Sequence, residues 1–116
     1  MPSEKTATLL IDPYNEFLHE EGKLHHKVSA SMTSNSTIGH IQELITTART
    51  HHIPIYYCLH QPVHPHTFTG WQHMTDRQSD TLAGGSFQAN TFGTDVYSGM
   101  EPDHLAGDVV VSKHWS

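Results

Sequence analysis

Cysteine is almost absent from this 116-residue chain, Cys58 being the single one. No internal disulfide can form, and a reducing cytoplasm is the compartment expected for such a chain. Basic residues are scarce as well. Six Lys and Arg stand against twelve Asp and Glu, for a formal net charge of −6, and no two of the six are adjacent. Nucleic-acid and anionic-membrane surfaces both need clustered Lys and Arg, so neither partner is expected. Long apolar runs are missing too, which argues against a membrane span. The opening Met1-Pro2-Ser3-Glu4-Lys5 lacks the basic-then-apolar layout of a signal peptide. Apolar residues make up only 35% of the chain and mean hydropathy is −0.48, lean for a self-sufficient core in a small domain. The length suits one domain over residues 1–116.

What is abundant is histidine. Twelve are spread along the chain, with pairs at 25–26 and 51–52, so they are not a terminal tag. Residues 6–12 read as a short strand buried on both faces, because apolar side chains follow one another without alternation. Residues 34–50 read as a helix: Ser34, Asn35 and Ser36 offer caps, and Ile38, Ile41, Ile45 and Ala48 share one face. A second strand runs from Ile53 to about His60, with Pro54 tolerable at its start. Residues 61–107 form a long irregular excursion containing one short helix near Trp71–Gln78. Such loops are more often functional than idle. A third strand, Asp108–Lys113, repeats the first pattern, an apolar run leading into a charge.

Strand, helix, strand, long crossover and strand define an α/β fold with a parallel sheet. In such a sheet ligands bind at the carboxyl edge of the strands. Asp12, His60 and Lys113 each end a predicted strand and should share that edge. Neighbouring strands lie about 4.8 Å apart, so an Asp and a long Lys can meet even across an intervening strand. The structural alternatives are an Asx-type turn between Asp12 and Pro13, and a solvated strand end at Lys113.

At these residues the chain resembles a known family. Leu9-Leu10-Ile11-Asp12-Pro13-Tyr14-Asn15-Glu16-Phe17 is similar to the opening motif of the isochorismatase-like cysteine hydrolases. Residues 92–116, with a Gly93-Thr94 turn and a Pro102 segment leading into a strand that ends in Lys113, resemble a second motif. The resemblance implies a Rossmann-like, three-layer fold whose full sheet has six parallel strands, and hydrolysis of a C–N amide-type or vinyl ether bond by an Asp-Lys-Cys triad. Asp12 matches the general base and Lys113 the triad lysine. An acid beside a thiol can take its proton, and a nearby ammonium favours the thiolate.

The family's cysteine follows its fourth strand, which has no counterpart among these 116 residues. Cys58 sits inside an apolar strand with no helix start after it and reads as a packing residue. The chain therefore looks like a C-terminally truncated domain, inactive alone, holding the first three strands. Its first strand would be left with an unpaired edge and one or both apolar faces of the sheet poorly covered, which predicts self-association or marginal stability. The alternative is a non-catalytic short form that binds a small ligand or a full-length partner.

His60, His64, His66 and His73 invite a metal reading. The nicotinamidase branch of the family binds a metal near this place through an Asp-x-His pair. His60-Gln61-Pro62 lacks that Asp and carries Pro where the His should be, so no metal or other cofactor is expected. Phe17, Trp71, His114 and Trp115 are the candidates for substrate-contacting walls, with core packing as the competing role of any one aromatic.

Overall fold

The computed structural model describes residues 5–113, which places the candidates His114 and Trp115 outside the described residues. Three parallel strands, β1 (Thr8–Ile11), β2 (Ile55–His60) and β3 (Val109–Lys113), form a sheet in the order β1-β2-β3. Helices α1 (Asn15–Leu18), α2 (Ser29–Ser34) and α3 (Thr37–Thr50) connect β1 to β2, and α4 (Asp76–Gly84) lies in the crossover to β3. The α/β class and the parallel sheet expected from the sequence are both present.

One face of the sheet is well covered. Ile45 and Ala48 of α3 are buried with Leu10, Ile55, Tyr57 and Met100, while Ile38 and Ile41 pack partly buried at the margin. The helical spacing of these four residues is what brings α3 down on the strands. Its expected capping is not realised. Ser34 belongs to α2, and Ser36 precedes α3 with φ 50° and no side-chain capping bond. A cap hydroxyl reaches the free N–H groups from extended backbone, whereas Ser36 is left-handed because it turns the chain from one helix into the next.

The expected helix near Trp71–Gln78 lies further along, at Asp76–Gly84. The Thr75 side chain accepts from the Gln78 N–H while the Gln78 side chain accepts from the Thr75 N–H, a complete capping box, and left-handed Gly85 (φ 64°) ends the helix. A second apolar cluster, Tyr14, Val63, Phe68 and Phe87, anchors the crossover near the carboxyl edge.

The other sheet face corrects the reading of a doubly buried first strand. Leu9 and Ile11 are 63% and 62% exposed. The register aligns Leu9 with Tyr56 and Val109, and Ile11 with Cys58 and Val111. Tyr56, Val109 and Val111 are likewise exposed, and Cys58 is half-buried. These residues alternate with Leu10 and Tyr57, which face α3, so the apolar runs supply two burying faces and the described residues cover one over β1 and β2, leaving Val110 of β3 exposed on it.

Candidate active site

β1 ends at Ile11, and the next residue turns the chain sharply. Asp12 is left-handed (φ 51°), its N–H still bonded to the Cys58 carbonyl at 3.2 Å, so it stands at the edge of the sheet. Its carboxylate is held by both oxygens. Oδ1 accepts the His60 N–H at 2.7 Å, and Oδ2 accepts from Lys113 Nζ at 2.8 Å. Lys113 reaches over β2 to make this contact, as the strand spacing allows. The Asx-type alternative is not adopted: the Tyr14 N–H binds the Asp12 backbone carbonyl, at 2.7 Å, while the side chain serves the neighbouring strands.

His60 does not sit as a surface ligand. It is buried, stacked on Phe87 with ring centroids 4.2 Å apart, and its Nδ1 lies 2.7 Å from the Gln61 carbonyl. A carbonyl only accepts, so Nδ1 carries the proton and donates. His64, His66 and His73 are exposed. Among the described residues no three His, Cys, Asp or Glu side chains converge as a metal site.

Two groups the sequence reading passed over brace the site. The Tyr14 hydroxyl donates to the His60 carbonyl at 2.9 Å. Burial, followed by the nearby Asp12 carboxylate, pushes the Tyr14 phenol up to about 12. Glu16 is buried and its carboxylate accepts two backbone N–H groups, from Lys23 and Phe87, each at 2.8 Å. One carboxylate thus ties the turn after α1 to the crossover segment carrying Phe87. Gly93 explains how the acid fits, since a Cβ there would lie 2.6 Å from Glu16 Oε2. Tyr14 and Glu16 lie within the opening motif, but nothing in their spacing announces a distant backbone partner.

Asp12 lies on the wall of a cavity of about 440 Å³. Phe17, Leu24 and Phe87 give it an apolar side, and His60 adjoins Asp12. Phe17 is therefore where a substrate contact is expected. Trp71 is not among the lining residues; it packs edge-on against Phe68 with centroids 5.4 Å apart. α4 meets the cavity through Arg77, Asp80 and Thr81. Cys58 is not the tightly buried thiol expected. It is half-buried on the open face, its Sγ 3.9 Å from the Tyr56 carbonyl, and it makes no hydrogen bond to Asp12 or Lys113.

The parallel α/β sheet that carries this acid and lysine has counterparts among known proteins. The family model for the isochorismatase domain matches residues 6–116, and the chain belongs to that family. It is similar in structure to N-carbamoylsarcosine amidase from Thermoplasma acidophilum, with a TM-score of 0.59, 27% identity, and coverage of 95% of this chain and 52% of the amidase. A cysteine hydrolase from Pseudomonas syringae pv. phaseolicola 1448A shares the fold, with a TM-score of 0.66, 20% identity, and coverage of 98% of this chain and 48% of the hydrolase. The chain thus spans about half the length of these structures. No curated protein matches it significantly. Among the described residues no helix is long and apolar enough to cross a membrane.

Proposed function

We propose that Asp12 and Lys113 are the acid–base pair of a cysteine-hydrolase site that opens a C–N amide-type bond of a small molecule. The observation that carries this is the Asp12 carboxylate fixed between the His60 N–H and the Lys113 ammonium on the wall of an apolar cavity. So held, Asp12 takes the proton of an incoming thiol, and Lys113 stabilises the thiolate electrostatically. The thiolate attacks the amide carbonyl, the amine leaves with a proton returned to it, and water releases the acyl group. The fold of the Pseudomonas cysteine hydrolase and the similarity to an amidase support this class of reaction.

Cys58 is not assigned as the nucleophile, because its thiol belongs to the open face. We place the thiol on polypeptide outside residues 1–116, and the open face against that same polypeptide or a second copy of the chain. The single cysteine makes the cytoplasm the proposed compartment. Sedimentation velocity on the isolated 116 residues should show self-association; a monodisperse monomer with a cooperative melt would count against it.

The test of the reaction is ammonia release from a panel of amides and N-carbamoyl acids by the protein in its native assembly. Asp12→Asn should lower kcat/KM by about 10²–10⁴ with an unchanged circular-dichroism spectrum. Retained activity sinks the assignment. The position of Cys58 favours a second reading, a non-catalytic binding protein. It wins if native protein with the intact mass of these 116 residues binds amides without turning them over.

A further inference from the structure

The chain is acidic, yet its few cations gather at one place. Of the six Lys and Arg residues, Lys23, Lys27 and Arg77 line the Asp12 cavity. A fourth, Lys113, is paired with Asp12 on its wall. Two acidic residues line the same cavity, Asp12 and Asp80. With Asp12 and Lys113 neutralising each other, three cations face Asp80 alone in a protein of net charge −6.

Their engagement differs. Lys23 Nζ donates to the Gly85 carbonyl at 2.6 Å and so has a structural task. Among the described residues, the Lys27 ammonium and the Arg77 guanidinium make no side-chain hydrogen bond and no ion pair. They come from separate elements, Lys27 from the turn before α2 and Arg77 from the first turn of α4. A cation near a helix's start gains nothing from the helix dipole, which favours negative charge there. A low-dielectric concavity lined by one sign of charge concentrates ligands of the other sign.

We propose that this cavity selects a small organic anion, a carboxylate on an apolar or aromatic body. Lys27 and Arg77 bind the carboxylate, while Phe17, Leu24 and Phe87 contact the body. The inference rests on the hydrolase reading for what happens at Asp12, and adds that the substrate carries a negative charge away from the scissile bond. Selection by charge does not require the thiol, so it is testable on the 116-residue chain.

Benzoate and benzamide have nearly the same shape and differ by one charge. In amide-resolved NMR titrations at low salt, benzoate should bind roughly tenfold more tightly than benzamide. Shifts should centre on residues 24–27 and 77–87, and added salt should weaken benzoate alone. The exposed pair Lys27→Gln and Arg77→Gln should bring the two affinities within about twofold and leave benzamide unchanged. Equal affinities in the wild type, a preference that survives both substitutions, or no saturable binding of either probe overturns the proposal. Failure of the hydrolase reading shows separately, as amide hydrolysis that persists in Asp12→Asn.

Discussion

Two ion pairs of the same length stand at opposite edges of the sheet. At the carboxyl edge Lys113 Nζ lies 2.8 Å from Asp12 Oδ2, and before β3, at the amino edge, Arg49 Nη2 lies 2.8 Å from Asp108 Oδ2. Their surroundings differ. The Asp108 side chain is 1% exposed, its Oδ2 also accepts the Asp103 N–H, and Arg49 continues to the Glu101 carbonyl at 3.1 Å. That network binds α3, the segment before β3 and the start of β3 into one unit. The Asp108 bond, ahead of a burial penalty and the same carboxylate's charge, raises the Arg49 pKa further above its ordinary value. Asp12 is 15% exposed, holds a left-handed backbone and borders a cavity. Ion-pair length therefore does not distinguish the proposed catalytic acid from the structural one; strand end, cavity and backbone do.

The largest effect that separates the pairs is on stability. Asp108→Ala leaves a partly buried guanidinium without its carboxylate and should cost roughly 3 kcal/mol, the low end of the range for breaking a buried pair, because Arg49 keeps some solvent contact. Urea denaturation should show the midpoint fall at constant m-value, with benzoate binding by the folded fraction unchanged. Asp12→Asn should do the reverse, removing hydrolysis while the free energy of unfolding changes by less than about 1 kcal/mol. A Asp108→Ala variant as stable as wild type would remove the structural half of the contrast.

The contrast also marks what was legible in the sequence. Asp12 and Lys113 were visible because each ends an apolar run, and a parallel sheet sends such ends to one edge. The order β1-β2-β3 was not set by those runs, whose spacing fits either β1 or β2 at the centre. The crossover was harder to read. Thr75 and Gln78 form a capping box whose letters stand in the sequence, yet the apolar letters around Trp71 drew the helix forward. Arg77 falls within the expected helix and the observed one, but nothing in its spacing places it beside Lys23 and Lys27, so a basic wall was not foreseen. Phe87 meets His60, twenty-seven positions away by number, because the Glu16 carboxylate and the Val63 backbone both hold the Phe87 segment. The open face was legible in part, because a domain holding only its first three strands is expected to leave an apolar face poorly covered. The run Thr8–Ile11 reports what the strand is suited to bury, and says nothing of where the cover comes from.

Each pair also has its own buried tyrosine, and these give the smallest and most selective test. Tyr14 bonds the His60 carbonyl near Asp12; Tyr57 bonds the Met100 carbonyl at 2.6 Å near Arg49. Both phenols are raised, in each case first by burial. Asp12 adds to the rise at Tyr14, whereas at Tyr57 the Arg49 charge is the next cause and acts in the lowering direction. The folded Tyr14 binds its proton more tightly than an unfolded tyrosine, about 12 against the ordinary 10.0. Its contribution to stability is therefore complete below pH ~10 and is lost as pH rises towards ~12. Alkaline titration followed by phenolate absorbance should show Tyr14 and Tyr57 ionising late. Asp12→Asn should advance Tyr14 alone, because removing the carboxylate removes only the second cause, and Asp108→Asn should leave Tyr14 in place. If Asp12→Asn advances Tyr57 as well, the two edges are electrostatically coupled and the separation of a working pair from a structural one does not hold.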